Sequence, residues 1–427
     1  MKFEYLPRII DEELEEYLEM IGAILIEGPK WCGKTTTGMQ HSKSVVKLQD
    51  SELSENYIAW TNVDANKILR GENPRLIDEW QMAPILWDAV RFSVDERGEE
   101  GLYILTCSTV VDYSQINHPG TGRIHRVLMR PMSLYESGES NGKISILELF
   151  KNPDLDIDGI ESDLSMEDLI FAACRGGWPA AIKKKSKKAQ LFVARSYIDN
   201  ICQIDVSAVD NVKRDPTKVR NILRSYARNV STLASKEKMV RDINTEVGKL
   251  GKTTFYDYVN VLKRLFVIED IPAWSPNIRS NAPTNERSKK EFFDPSLAVA
   301  SLRVNPDYFE KDLKTFGFIF ENLCIRDLKV YTNSELGEVF YFNSNNCEVD
   351  CILQLANGDY GLIEFKLGGN GIKKGIDNLL KLRDYIEKKK EENPDIRDPS
   401  FMAIITGGRL AYTEVENIKV IPIGCLR

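Results

Sequence analysis

Gly28-Pro29-Lys30-Trp31-Cys32-Gly33-Lys34-Thr35 fits G-x-x-x-x-G-K-[ST], the phosphate-binding P-loop. The apolar run Ile21-Gly22-Ala23-Ile24-Leu25-Ile26 precedes it and predicts a buried strand. Thr35-Thr36-Thr37-Gly38-Met39 follows and predicts the opening of a helix. In that strand–loop–helix setting, backbone N–H groups and the helix N-terminus face the phosphates of a nucleotide. Gly28, Pro29, Lys30, Trp31, Cys32, Gly33, Lys34, Thr35 and Thr36 are therefore the expected nucleotide-binding residues. Lys34 is placed to reach the β- and γ-phosphates, and the Thr35 hydroxyl to ligate Mg²⁺.

Further along, Leu76-Ile77-Asp78-Glu79 ends an apolar run with two carboxylates. In a Walker B arrangement Asp78 holds Mg²⁺ through water, and Glu79 polarises the water that attacks ATP. A third strand, Leu102–Thr106, ends at Thr106-Cys107-Ser108. A polar residue at the tip of a strand between the P-loop and Walker B strands can sense the γ-phosphate, and Thr106 or Ser108 is expected there. Gly122-Arg123-Ile124-His125-Arg126 follows. An arginine near the nucleotide neutralises transition-state charge in cis or in trans. Arg123 is the first choice and Arg126 the second.

The chain has 427 residues, so at about 150 residues per domain two to four domains are expected. Hydrophobic residues make up 42% and charged residues 28%, a globular composition. No stretch approaches the roughly 20 apolar residues of a membrane span. The N-terminus MKFEYLPRIIDEELEEYLEM is acidic and amphipathic, unlike a secretory signal. Eight scattered cysteines without paired CxxC sets argue against a zinc site or a disulfide framework, and point to the cytoplasm. A net charge of −7 excludes a uniformly basic nucleic-acid coat but allows a local basic groove.

Over the first 150 or so residues, apolar segments alternate with helical stretches, an α/β pattern. The apolar segments after the P-loop are Ser44–Leu48, Tyr57–Asn62, Pro74–Glu79, Gly101–Thr106 and Ile124–Met129. An acidic connection at Asn141–Asp154 with Asp163–Asp168 leads into a helical region from about Met166 to Tyr226. Its basic run KKKSKK at Lys183–Lys188 reads as a solvated helix end or a phosphate contact. Lys236–Asp270 holds three short amphipathic segments with a break at Gly248–Gly251, followed by the strand-like Leu265–Glu269. This reads as a winged helix-turn-helix, a module that contacts DNA or protein. Ile278–Lys290 is polar and reads as a loop. Beyond it, a helix at Gly317–Tyr331 and strands at Glu338–Asn343, Val349–Leu355, Gly361–Lys366, Phe401–Thr406 and Ile418–Ile421 form a further α/β domain. A charged helix, Ile372–Glu391, separates its third and fourth strands.

With these residues in view, the chain resembles the prokaryotic AAA+ (STAND-like) ATPases that carry a C-terminal domain of unknown function. The matching pieces are GPKWCGKTT, LIDEWQ, ILTCS, GRIHRVLMRPMSLYE, GGWPAAI at Gly176–Ile182, FFDPSLAVASL, FGFIFENLCIRDL and EVDCIL followed by LIEFKLG. Cys107 departs from the family, which usually carries glycine after the sensor threonine. The resemblance implies an AAA+ P-loop ATPase core over 1–155, a helical lid over 156–232, a winged helix-turn-helix over 233–285 and a last domain over 286–427. It also likens Gly176-Gly177-Trp178-Pro179 to the GxP motif of STAND lids.

In the last domain, strand alternation places Glu364 and Lys366 on one face, with Asp350 on the preceding strand. Two carboxylates and a lysine can bind Mg²⁺ and activate water against a phosphodiester. Glu321, on the Gly317–Tyr331 helix, can complete such a site. This resembles the PD-(D/E)xK nuclease fold, with Asp350, Glu364 and Lys366 as catalytic residues and Asp350 and Glu364 as metal ligands. The expected architecture is thus an α/β P-loop core, a helical lid, a winged helix and a restriction-endonuclease-like domain. One functional reading is an ATPase coupled to a Mg²⁺-dependent nuclease acting on DNA. The other is an ATP-dependent switch or scaffold whose last domain binds DNA or a protein partner without cutting. An arginine supplied in trans would require a homo-oligomer.

Overall fold

The computed structural model describes residues 5–50, 52–109, 118–210, 212–247, 250–277, 287–344 and 347–427. The expected break at Gly248–Gly251 lies in part outside the described residues, as does most of the expected loop Ile278–Lys290. The chain divides into two compact units. One comprises Met1–Pro131 with Arg264–Phe266, the other Met132–Lys263 with Val267–Arg427.

The first unit is built on a parallel sheet of β1 (Ala23–Glu27), β2 (Ser44–Lys47), β3 (Arg75–Asp78), β4 (Tyr103–Cys107) and β5 (Ile124–Leu128). Their spatial order is β2-β3-β4-β1-β5. The central strands β3, β4 and β1 carry near-continuous apolar runs, as parallel strands covered on both faces require, whereas the edge strands β2 and β5 mix apolar with polar residues. Ala23, Leu25, Ile77 and Leu105 pack with Trp80 and Trp87 in one buried cluster. β4 lies between the P-loop strand β1 and the carboxylate strand β3, so Thr106 and Ser108 arrive beside both. Tyr57–Asn62 is not a strand. It lies within the helix Ser54–Asp64, where Trp60 and Val63 face solvent, and its spacing serves one packed helix face.

In the second unit, β6 (Ile268–Ile271) pairs antiparallel with β7 (Lys289–Phe292). A six-stranded mixed sheet contains β8 (Glu338–Ser344), β9 (Cys347–Gln354), β10 (Tyr360–Lys366), β11 (Phe401–Thr406), β12 (Tyr412–Thr413) and β13 (Lys419–Pro422). Its order is β12-β13-β11-β10-β9-β8, with β8, β9 and β10 antiparallel and β11 and β13 parallel to β10. The helix Ile372–Glu392 crosses between β10 and β11 and buries Leu379, Leu382 and Ile386 against Ile352, Leu362, Ile404 and Val420.

The compact unit that holds the P-loop ends at Pro131 apart from Arg264–Phe266, and the rest of the chain packs as one unit. The acidic connection explains this, because it pairs with the chain's end. Ile144 bridges Leu426, Glu161 bridges Leu410, and Asn141 N–H donates to Gly424 O at 2.9 Å. The segment expected as a lid is tied in as well. Gly177 N–H donates to Asp294 Oδ2 at 3.0 Å, and Trp178 Nε1–H to Ser296 Oγ at 2.9 Å. Only glycine fits at 177, since a Cβ there would lie 2.0 Å from Met132 O. Between Lys236 and Asp270 the described residues form two helices, Lys236–Val247 and Lys252–Arg264, in place of three segments. A helix at Pro216–Arg228 precedes them, and β7 supplies the second ribbon strand.

Candidate functional site

The P-loop leaves β1 and closes tightly on the segment after β5. Gly28 has φ +151°, and a Cβ there would lie 2.2 Å from Met129 O. Gly33 has φ +107° and caps the helix Lys34–Gln40. Both positions favour glycine, one by close approach and the other by backbone conformation. Lys34 is buried and donates from Nζ to Gly28 O at 2.9 Å and Pro29 O at 2.7 Å. Its ammonium therefore lies along the loop it belongs to. Pro29 and Cys32 are buried, whereas Lys30, Trp31 and Thr36 are exposed.

Strand order brings the remaining polar groups together. Thr35 Oγ1 donates to Asp78 Oδ1 at 2.7 Å, and Thr106 Oγ1 donates to the same oxygen at 2.7 Å. Thr106 Oγ1 in turn accepts from Glu79 N–H at 2.9 Å. Glu79 adopts a left-handed conformation with φ 56° just after β3, a setting that non-glycine residues enter at a cost of about 1–3 kcal/mol. Ser108 Oγ donates to Glu79 Oε1 at 2.5 Å, and Gln81 Nε2 donates to Oε2. Sequence reasoning misses Gln81, since its role depends on a 3₁₀ turn at Trp80–Met82 that returns it to Glu79. The hydroxyl of Thr35 and the carboxylate of Asp78 are hard oxygen donors at contact distance, which suits Mg²⁺. Burial pushes the Cys107 thiol up to about 12, so this cysteine is a packing residue.

Arg123 is not at the loop. It precedes the start of β5, where Ala23 pairs with Ile124, while the P-loop follows Glu27 at the opposite end. Four residues of strand, about 13 Å, separate the two ends. Arg123 Nε donates to Asp95 Oδ1 at 2.5 Å and holds that carboxyl below its ordinary range. A cis role for Arg123 is thereby excluded by the parallel register. The guanidinium carbon of Arg126 lies 5.7 Å from the centre of the Trp87 ring.

A second polar cluster lies in the other unit. Lys366 Nζ donates to Asp350 Oδ2 at 2.9 Å and also to Glu364 Oε2. Phe365 N–H donates to Asp350 Oδ2 at 3.0 Å, and Asn378 Nδ2 to Glu364 Oε1 at 3.2 Å. Alternation on β10 thus places Glu364 and Lys366 as the sequence suggests. Glu321 joins through Lys289, whose Nζ donates to Glu321 Oε1 and, at 3.0 Å, to Asp350 O. Sequence reasoning misses Lys289 and Asn378. Lys289 belongs to a short strand that reads as a loop, and Asn378 carries no motif.

Burial and then the Asp350 charge push Glu364 well above the carboxylate range. Burial also opposes ionisation of Asp350, yet the Lys366 and Lys289 ammonium groups hold it below that range. Among the described residues, no group of three or more His, Cys, Asp or Glu is arranged to hold a metal ion. Asp350 and Glu364 are hard donors of the right chemistry, and Lys366 bridges them.

Burial pushes Glu321 up to about 7, against the pull of Lys289. A carboxyl raised in the folded state binds more protons there than in the unfolded chain. Its contribution to stability therefore falls as pH rises from about 4.3, the unfolded value, to about 7. Glu321→Gln is expected to be less stable overall, because the buried Lys289 ammonium loses the carboxylate it donates to. It should nonetheless lose less stability than the wild type between those pH values. Urea midpoints across the range measure both, and parallel curves would refute the assignment.

Residues 21–138 match the family described as AAA domain. Residues 166–308 and 316–426 match two families described as domains of unknown function, DUF8612 and DUF4143. No curated protein matches the chain. Among solved structures, the Walker-type ATPase PABY2304 of Pyrococcus abyssi is similar at 14% identity over 71% of this chain and 100% of that one, with a TM-score of 0.41. The Orc1 protein of Aeropyrum pernix, solved in complex with DNA, is similar at 13% identity over 71% of this chain and 93% of that one, with a TM-score of 0.25. Residues 21–138 thus match an AAA-type ATPase domain. No helix among the described residues is long and apolar enough to cross a membrane.

Proposed function

We propose that this chain is an AAA+ ATP hydrolase whose nucleotide state governs a C-terminal, PD-(D/E)xK-like domain that binds DNA and cleaves it with Mg²⁺. The chain of contacts Thr35–Asp78–Thr106–Glu79 carries the ATPase half of this reading. Thr35 and Asp78 would hold Mg²⁺, which would supply charge neutralisation on the phosphates. Lys34 exchanges the carbonyls of Gly28 and Pro29 for β- and γ-phosphate oxygens. Glu79 accepts a proton from the water that attacks the γ-phosphorus. The new P–O bond forms as the bond to the β–γ bridging oxygen breaks, and ADP leaves. Ser108 links the strand tip expected to sense the γ-phosphate to the carboxylate expected to activate water. With Arg123 at the far edge of the sheet, an arginine acting on the phosphates comes from Arg123 of another copy or from a different residue.

The nuclease half rests on the convergence of Asp350, Glu364 and Lys366, with Glu321 one contact away through Lys289. The helices Pro216–Arg228, Lys236–Val247 and Lys252–Arg264 with the β6–β7 ribbon support a winged-helix reading, for DNA or a protein. A specific observation favours the second reading, a non-cleaving switch. The two carboxylates already share one ammonium, and Glu364 is fully shielded from solvent. The deciding experiment measures phosphate release from ATP, with Lys34→Ala as the blank. In parallel it follows cleavage of single- and double-stranded DNA in Mg²⁺ or Mn²⁺, with and without ATP. ATP turnover with no cut DNA would retain the switch and remove the nuclease.

A further inference from the structure

Arg8 lies in the N-terminal segment, outside every motif, yet it is only 7% exposed. Its NH1 donates to Cys32 O at 2.9 Å, inside the P-loop. Its NH2 donates to Arg130 O at 2.8 Å, in the segment after β5. One planar guanidinium thus joins the two backbone stretches that meet where Gly28 approaches Met129 O. The segment carrying Arg8 is itself fastened. Arg8 N–H donates to Asp11 Oδ2 at 2.8 Å, and Tyr5 Oη–H to Asp11 Oδ1 at 2.5 Å. Tyr5 Oη also lies 3.1 Å from Thr37 Oγ1, in the helix that follows the P-loop.

We propose that Arg8 is a positioning residue of the nucleotide site, holding the P-loop main chain in its phosphate-binding form. In a planar trans peptide the C=O and the following N–H point in opposite directions. Drawing the Cys32 carbonyl toward Arg8 therefore turns the Gly33 N–H to the other face of the loop. The left-handed Gly33 lets the chain continue into the helix from that orientation. A loop whose N–H groups are already aimed loses less freedom on binding an anion. The fixed positive charge of Arg8 adds favourable potential for a triphosphate. The inference rests on the reading of this loop as the ATP site.

The test uses the full chain and calorimetric titration with ATP and AMP, together with kcat and KM for ATP hydrolysis. Arg8→Gln is expected to weaken ATP binding by about 10- to 100-fold, the range for loss of a hydrogen bond from a charged group. KM should rise more than kcat falls. AMP affinity should change less, because fewer phosphates meet the loop. Arg8→Lys keeps the charge but lacks the planar fork whose two nitrogens each reach one carbonyl, so it should recover only part of the loss. Wild-type ATP affinity in folded Arg8→Gln, equal losses for ATP and AMP, or full rescue by lysine would each overturn the proposal. If Arg8→Gln fails to fold by circular dichroism, Arg8→Lys decides alone, and wild-type affinity there overturns it. Unchanged ATP binding in Lys34→Ala would instead sink the ATP-site reading itself.

Discussion

Glu79→Gln retains ATP and hydrolyses it about 10²- to 10⁴-fold more slowly than the wild type, the range for loss of a general base. The substitution keeps size and shape. The oxygen of the new amide can still accept from Ser108, and its N–H can donate to Gln81 once that side chain flips. The left-handed turn after β3 therefore has no reason to collapse. Thr35 and Asp78, the groups suited to Mg²⁺, are untouched, so affinity for ATP should hold. The proton acceptor alone is lost. Phosphate release under single-turnover conditions measures the rate, and calorimetry measures the affinity. Hydrolysis at the wild-type rate would show that another group activates the water. Loss of binding would show that Glu79 is part of the cradle instead.

Lys366→Met is expected to cost about 3–5 kcal/mol of stability near neutral pH, as when one partner of a buried ion pair is removed. Lys366 is the ammonium shared by Asp350 and Glu364, whose side chains are 17% and 1% exposed. Without it, two acids face each other with Lys289 near only one of them. The cost should depend on pH. In the wild type Asp350 is depressed, so its contribution is present above about pH 3.9, its unfolded value, and is lost as pH falls through its folded value. The variant forfeits that contribution, and its deficit should shrink toward acid, where both carboxyls protonate in folded and unfolded chains alike. Urea unfolding at pH 8 and in steps below about pH 3.9 reads the difference. An equal deficit throughout would assign the loss to packing of the lysine stem instead.

Much of the first unit is legible because its signals are local. Five apolar runs flanked by polar ends mark five strands, apart from Tyr57–Asn62, where a half-exposed helix mimics one. The P-loop and the Asp78-Glu79 pair are readable because their residue types and spacing reflect a single backbone geometry. Arg123 is harder. Proximity in sequence to a site strand says nothing about which end of the strand a residue occupies, and the parallel register with β1 puts it at the wrong end. In the second unit the D…E-x-K spacing is visible, because Glu364 and Lys366 lie two apart on one strand.

The sequence by itself determined a phosphate-binding loop, a carboxylate pair for hydrolysis and a set of strands in α/β alternation, since periodicity and turn chemistry are short-range. Tertiary structure alone decided which strands neighbour one another. It therefore decided that Asp78 meets both Thr35 and Thr106. It also joined the connection after Pro131 to the chain's end, and it brought Arg8 and Lys289 to the sites they serve. Those contacts link residues from 24 positions apart, for Arg8 and Cys32, to 283, for Asn141 and Gly424. They form only when burial makes an unpaired charge or main-chain group costly, and no local pattern records that cost.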